Sequence, residues 1–349
     1  MGERAGEAHR IRWLDALKGL AILSVILGHV LLGFTENHAF PADNPWMLKL
    51  MNWIYAWHMP LFFMISGFAF SISVLKNGEV NRPGLRDRIL NLALLYLFFS
   101  LLLGIFKIIF SQFVDHPMDW ESLFTGLFLP DTLMWYLWVL TAYYLLMDLA
   151  AVRGSLNCKI LFAAAVLLFA AGKILEHTAG LRFCLRNLMG CLIYFVIGMN
   201  LKDSELLSNK GMGWFSAALS LGLSVLFFAI EPGSALLTGA ARILLSFSIP
   251  WTLFYFFSAK EISFSAFRKL GAASLVIYLL HTYIVTALKV LIIRTGILNG
   301  ISAVLLTWTA AALVSWAAYA ISRRVAFLGY CFKPILLLKR NPGQKEGRT

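Results

Sequence analysis

Ten stretches of this chain are apolar for long enough to cross roughly 30 Å of hydrocarbon, and that repetition leaves few folds open. They run at about 14–33, 47–75, 90–113, 133–150, 160–176, 183–200, 213–230, 235–257, 272–293 and 300–321, each near the roughly 20 residues that a crossing takes. No water reaches the bilayer core, so backbone donors and acceptors must be paired inside the segment itself, and a single run of this length does so as a helix. The pattern predicts an all-α, polytopic integral membrane bundle of about ten transmembrane helices. Composition agrees, with 60% hydrophobic and only 14% charged residues in 349, against roughly 45–50% apolar in a soluble domain.

A formal charge of +12 would suggest nucleic acid in a soluble protein. Here the cations alternate with the spans. Arg4, Arg10 and Arg12 precede the first; Lys76, Arg82, Arg86 and Arg88 follow the second; Arg153 and Lys159 the fourth; Lys202 and Lys210 the sixth; Lys260, Arg268 and Lys269 the eighth. Arg323, Arg324, Lys333, Lys339, Arg340, Lys345 and Arg348 follow the tenth, so that 21 of the 30 Lys and Arg fall on one side. The other side carries Glu36, Asp43, Asp115, Asp119, Glu121, Asp131 and Glu231. By the positive-inside rule both termini are cytoplasmic, and the charge is a topology signal with no nucleic-acid partner behind it. Lys173, Arg182 and Arg186 break the alternation, either to meet an anionic acceptor or as snorkelling helix ends.

The polar, basic segment Met1 to Arg12 lacks a small-residue cleavage site before the first apolar run, which reads as a retained signal anchor. Cys158, Cys184, Cys191 and Cys331 show no CxxC spacing, so neither a metal site nor a redox motif is expected. Cys184 and Cys191 read as packing residues on one helix.

Ionisable groups inside a hydrocarbon span are expensive, and each is a functional hypothesis. Lys18 and His29 are eleven residues apart, a net rotation of only about 20° and a rise of roughly 16 Å. Asp15 lies within about 40° of the same face, so the three form one stripe turned towards the bundle, with Asp15 and Lys18 spaced to pair at i,i+3. The second span contains His58, Pro60 and the Ser66-Gly67 pair. Pro60 cannot donate to the Ala56 carbonyl, so this segment reads as a tilted or broken helix beside a cavity, with His58 either bonding a freed carbonyl or serving chemistry. Trp135 and Tyr136 suit an aromatic belt or, beside a sugar site, pyranose stacking. His281 is a further intramembrane histidine; Lys107, Arg242 and Lys289 could snorkel, pair or line a cavity.

Together these segments resemble the acyltransferase 3 superfamily of membrane acyltransferases. Leu14-Asp15-Ala16-Leu17-Lys18-Gly19 with His29 is similar to that family's opening motif, an Asp, a basic residue followed by Gly, and a His about three turns further on. His58-Met59-Pro60-Leu61-Phe62-Phe63 with Ser66-Gly67-Phe68 resembles its second-helix motif, and Trp135-Tyr136-Leu137, Phe195-Val196-Ile197-Gly198 and Tyr278-Leu279-Leu280-His281 follow in order. The broad family commonly has Arg where this chain has Lys18; the Lys form resembles the fucose 4-O-acetylase-like branch, which points to a sugar acceptor.

Residues 341–349 read as a disordered cytoplasmic tail, and the resemblance implies a multi-pass transmembrane domain over 1–340 in the inner membrane of a bacterium. It implies O-acyl transfer, in the first instance acetyl from acetyl-CoA as co-substrate with no bound cofactor, to a saccharide or glycolipid of the cell envelope. A histidine with reference pKa near 6.5 can deprotonate an acceptor hydroxyl as it attacks a thioester. His29 is then the base, with Asp15 and His58 in support. Lys18, Arg86 and Arg88 are the candidates for the CoA nucleotide, although Arg86 and Arg88 also fit ordinary topology anchoring. Ser66, Trp135, Tyr136 and His281 are candidates for the acceptor side, and His58, Ser66 and Trp135 for an oxyanion donor. Direct transfer and an acyl-histidine route are both open, and homo-oligomerisation is compatible with the sequence. The competing class is a transporter or flippase for a lipid-linked saccharide, which ten helices, midplane histidines and a Pro-broken span would also suit.

Overall fold

The computed structural model describes residues 11–36, 45–76, 79–114, 116–131, 133–152, 157–178, 181–202, 204–230, 234–298 and 300–338. The tail expected at 341–349 and several loop cations, Arg4, Arg10 and Arg153 among them, lie outside the described residues. In chain order the elements are α1 (Arg12–Glu36), α2 (Pro45–Ser73), the two-residue strands β1 (Leu75–Lys76) and β2 (Glu79–Val80), α3 (Arg82–Ile109), α4 (Trp120–Phe128) and α5 (Trp135–Val152). Then come α6 (Cys158–Thr178), α7 (Phe183–Asn200), α8 (Lys210–Ala229), α9 (Ala235–Ala259), α10 (Ser265–Ala272), α11 (Ser274–Thr295), α12 (Gly300–Ser322), α13 (Ala326–Phe332) and α14 (Ile335–Leu338). Ten of these, all but α4, α10, α13 and α14, are long and apolar enough to cross a membrane. The protein is a multi-pass, helical integral membrane protein. Large apolar side chains such as Leu167 and Ile174 on α6 and Leu221 and Val225 on α8 are exposed, as lipid-facing residues must be.

Two local expectations change. First, α3 starts at Arg82, about two turns before the apolar run. Its 28 residues reach about 42 Å, beyond the roughly 30 Å of hydrocarbon, so Arg82, Arg86 and Arg88 sit on the helix. Asn81 caps it by accepting from the Gly84 N–H at 3.3 Å, and Pro83 stands in the first turn, where its missing donor is not needed. Second, α2 runs without interruption through Pro60, and α9 does the same through Pro250. Both prolines are buried, packed against protein, where neighbouring helices can accommodate the lost donor.

The chain groups into two compact units, one of Met1–Ser71 with Tyr194–Ala317 and one of Ile72–Ile193 with Ala318–Thr349. In the first, association rests on small residues, because apolar side chains gain nothing from leaving lipid for one another. A Cβ on Gly67 of α2 would run into the Phe195 carbonyl, and one on Gly198 of α7 into the Met64 carbonyl. The same reciprocal contact joins α1 to the short helix α10, where Gly19 faces the Phe267 carbonyl and Gly271 the Asp15 carbonyl. Polar links add to these contacts. Thr252 of α9 bridges Ser216 at 3.1 Å and Ser220 at 3.0 Å on α8. Lys49 donates to the Phe228 and Ile230 carbonyls at 2.8 and 3.0 Å, capping the C-terminal end of α8. The Trp308 indole of α12 donates to the Leu23 carbonyl at 2.9 Å.

In the second unit Asp148 of α5 accepts from Arg82 at 3.0 Å and pairs with Arg86 at 3.7 Å on α3. Tyr96 donates to the Gly126 carbonyl at the end of α4 at 2.9 Å. Glu176 of α6 takes Arg186 of α7 at 2.9 Å, an ion pair across the helical hairpin, and Lys173 of its own helix at 3.4 Å, so two of the three cations that broke the charge alternation are paired with one carboxylate. Asp119 caps α4 by accepting from the Ser122 N–H at 2.7 Å, and its hydrogen bonds to Ser122 hold its carboxyl below the usual carboxylate range. Cys184 and Cys191 are buried free thiols on α7.

Candidate active site

Three histidines from three helices of the first unit share one habit. Nδ1 lies against the carbonyl four residues back in each: His29 on Val25 at 2.9 Å, His58 on Ile54 at 2.8 Å, and His281 on Ile277 at 2.9 Å. A carbonyl can only accept, so Nδ1 carries the proton in every case, and the neutral ring keeps its lone pair on Nε2. For His58 the partner is the Ile54 carbonyl, one turn back in an intact helix; the Ala56 carbonyl beside Pro60 is not its partner.

The fold brings His281 of α11 to His29 of α1. His281 Nε2 stands 3.4 Å from His29 Nδ1, with ring centroids 5.1 Å apart. His29 Nδ1–H is thus shared between the Val25 carbonyl and the His281 lone pair, while His29 Nε2 is left for another partner. His281 is fully enclosed, at 0% exposure, and His58 is buried, whereas His29 is half-buried. Of the three, His29 alone is part-exposed. His281, expected on the acceptor side, stands behind His29 as its neighbour.

Tyr55 of α2 joins the two halves of the cluster. Its ring meets His58 edge-on at 4.9 Å and His29 at 6.1 Å. It was not singled out from the sequence, although its position three residues before His58 places both on one helix face. Lys289, one of three cations unreadable from sequence, is buried at 3% exposure with its stem against Gly33, one turn beyond His29.

The other expected residues lie elsewhere. Asp15 is buried and its carboxylate pairs with Lys18 at 3.5 Å, about 21 Å along α1 from His29, so this pair is not among the histidines. Ser66 is buried beside Gly67 at the α2–α7 contact. In the second unit, Arg86 is held by Asp148 yet 64% exposed, and Arg88 reaches the Tyr144 hydroxyl. Trp135 and Tyr136 open α5 there, with Trp135 edge-on to Phe183 at 5.6 Å. Among the described residues no three His, Cys, Asp or Glu side chains gather as a metal site would require.

Comparison with known proteins places this cluster in a family. Two relatives are each named "Nodulation protein NolL". The one from Sinorhizobium fredii (strain NBRC 101917 / NGR234) is 32% identical over 169 residues, 47% of this chain and 43% of its own length. The one from Mesorhizobium japonicum (strain LMG 29417 / CECT 9101 / MAFF 303099) is 28% identical over 185 residues, 51% of this chain and 46% of its own length. The matched stretches therefore span less than half of either relative. No solved structure matches the chain at a significant level. The acyltransferase domain model of the acyltransferase 3 family matches residues 11–322, from the first turn of α1 to the end of α12 and across all three histidines, and the chain belongs to that family.

Proposed function

We propose that this protein is a membrane O-acyltransferase that moves an acyl group, acetyl in the first instance, from acyl-CoA to a hydroxyl of a cell-envelope saccharide or glycolipid, with His29 as general base. The observation that carries this reading is the fixed His29 tautomer: Nδ1–H is held by Val25 O and faces His281 Nε2, which leaves Nε2 as the basic atom on the one half-buried ring. His29 Nε2 takes the proton of the acceptor hydroxyl as its oxygen bonds to the thioester carbonyl carbon. The C–S bond then breaks, and the proton passes from His29 to the departing CoA sulfur. His281 stabilises the imidazolium that forms between these steps, because its Nε2 lone pair faces the Nδ1–H whose acidity has risen.

Direct transfer is favoured over an acyl-histidine, since one base serves both proton movements. The CoA nucleotide docks at cytoplasmic cations, Lys18, Arg86 and Arg88 being the candidates, with both termini on that side and the enzyme in a bacterial inner membrane. Lys18 and His29 are about 16 Å apart along α1, a span suited to an extended pantetheine arm. The transporter alternative drew in part on a Pro-broken span, and α2 and α9 run on unbroken through Pro60 and Pro250. The test is transfer of label from acetyl-CoA to a panel of hexose and deoxyhexose oligosaccharides by the purified protein in vesicles. Labelled ester on a glycan is the expected result; saccharide translocation without any ester would replace this reading with the transporter.

A further inference from the structure

Beside His29 stands a second polar group, the Tyr55 hydroxyl. The Tyr55 oxygen is buried and has no hydrogen-bond partner among the described residues. Its ring is wedged between the two histidine rings of α1 and α2, at 6.1 Å from His29 and 4.9 Å from His58. Gly28, the residue before His29, makes the room: a Cβ there would stand 3.1 Å from Tyr55 Cε2. A phenylalanine would fill the same wedge without burying an unsatisfied polar group, which is costly in a medium that offers no water.

Two other buried donors flank the histidines, the Trp57 indole and the Thr282 hydroxyl. Trp57 turns its ring to Trp53, 5.5 Å away, whose own indole bonds Ser224 of α8. Thr282 follows the enclosed His281 in sequence. Of the two aromatic donors, Tyr55 meets the ring of the base.

We propose that Tyr55 is a catalytic residue whose hydroxyl donates to the thioester carbonyl oxygen as negative charge develops there. The inference rests on the acyl-transfer reading above. In the step already written, the alkoxide oxygen bonds to the carbonyl carbon and the carbonyl π electrons move onto oxygen. Tyr55 O–H holds that oxyanion and keeps its own proton; when the C–S bond breaks, the C=O re-forms and the hydrogen bond weakens. Neither His29 nor His58 can supply this donor through Nδ1, because both are committed to backbone carbonyls.

The test compares wild type, Tyr55→Phe and His29→Ala in vesicles, with labelled acetyl-CoA and the oligosaccharide panel. Tyr55→Phe should lower kcat by about 10²–10³-fold with little change in KM for acetyl-CoA. Its thermal midpoint should be unchanged or higher, since an unsatisfied hydroxyl has been removed. Wild-type kcat in Tyr55→Phe, with His29→Ala inactive, overturns the role of Tyr55 and leaves the acyl-transfer reading standing. A kcat loss that tracks a lowered midpoint overturns it as well, as a packing effect. No transfer by the wild type defeats the acyl-transfer reading itself and this inference with it.

Discussion

His281 Nε2 lies 3.4 Å from His29 Nδ1, so that two imidazoles from helices α1 and α11, 252 residues apart in sequence, meet donor to acceptor. Each uses its own backbone carbonyl to fix which nitrogen carries the proton. The arrangement places a neutral acceptor where a carboxylate stands in a Ser-His-Asp triad, and the same logic of tautomer and orientation applies. It suits a hydrocarbon span, where a buried anion would be costly.

His281 should therefore matter through His29. His281→Phe removes the acceptor and is expected to lower kcat by about 10–10²-fold, with CoA affinity unchanged. His281→Gln, which can present an amide oxygen to Nδ1–H, should recover part of that loss. Equal kcat in wild type and His281→Phe, measured on folded protein, would show that the pairing has no part in turnover.

The paired glycine contacts predict a stability effect separate from chemistry. Gly67→Ala and Gly198→Ala each force a methyl against a backbone carbonyl of the facing helix, which no rotamer change relieves. Each should destabilise by about 1–3 kcal/mol, read as a lowered thermal midpoint in detergent. Gly126→Ala, where a Cβ meets nothing, is the control and should leave the midpoint near that of wild type.

Arg86 and Arg88 separate donor binding from anchoring. Charge reversal, Arg86→Glu with Arg88→Glu, should weaken acetyl-CoA binding by tenfold or more in titration calorimetry, with the largest effect at low salt. Unchanged affinity would return both arginines to their contacts with Asp148 and Tyr144. Asp148→Asn should cost only up to about 1 kcal/mol of stability, because its partners are more than one-third exposed and the ion pair is screened.

Much of this fold is legible in the sequence. A single α-helical period aligned Asp15, Lys18 and His29, and the Asp15–Lys18 pair follows from its i,i+3 spacing. Ten apolar runs became ten helices because length against hydrocarbon thickness decides the matter. Long-range partners were not legible. Nothing local says that His281 returns to His29, or that the Gly67 and Gly198 motifs are two halves of one helix contact. Helix α10 was hidden too: eight residues with Arg268 and Lys269 read as a basic loop, and its packing on α1 through Gly19 and Gly271 is a contact between distant segments. Of the two readings at Pro60, a tilted or a broken helix, the break does not occur: α2 is one helix through the proline, and whether a buried proline interrupts a helix depends on neighbours that the local sequence does not name.

The central claim is that His29 Nε2 removes the acceptor proton. The most direct test is kcat for acyl transfer by His29→Ala, with acetyl-CoA binding and thermal midpoint measured on the same preparation. A fall of about 10²–10⁴-fold with binding and folding intact is predicted; wild-type turnover in that variant would contradict the account.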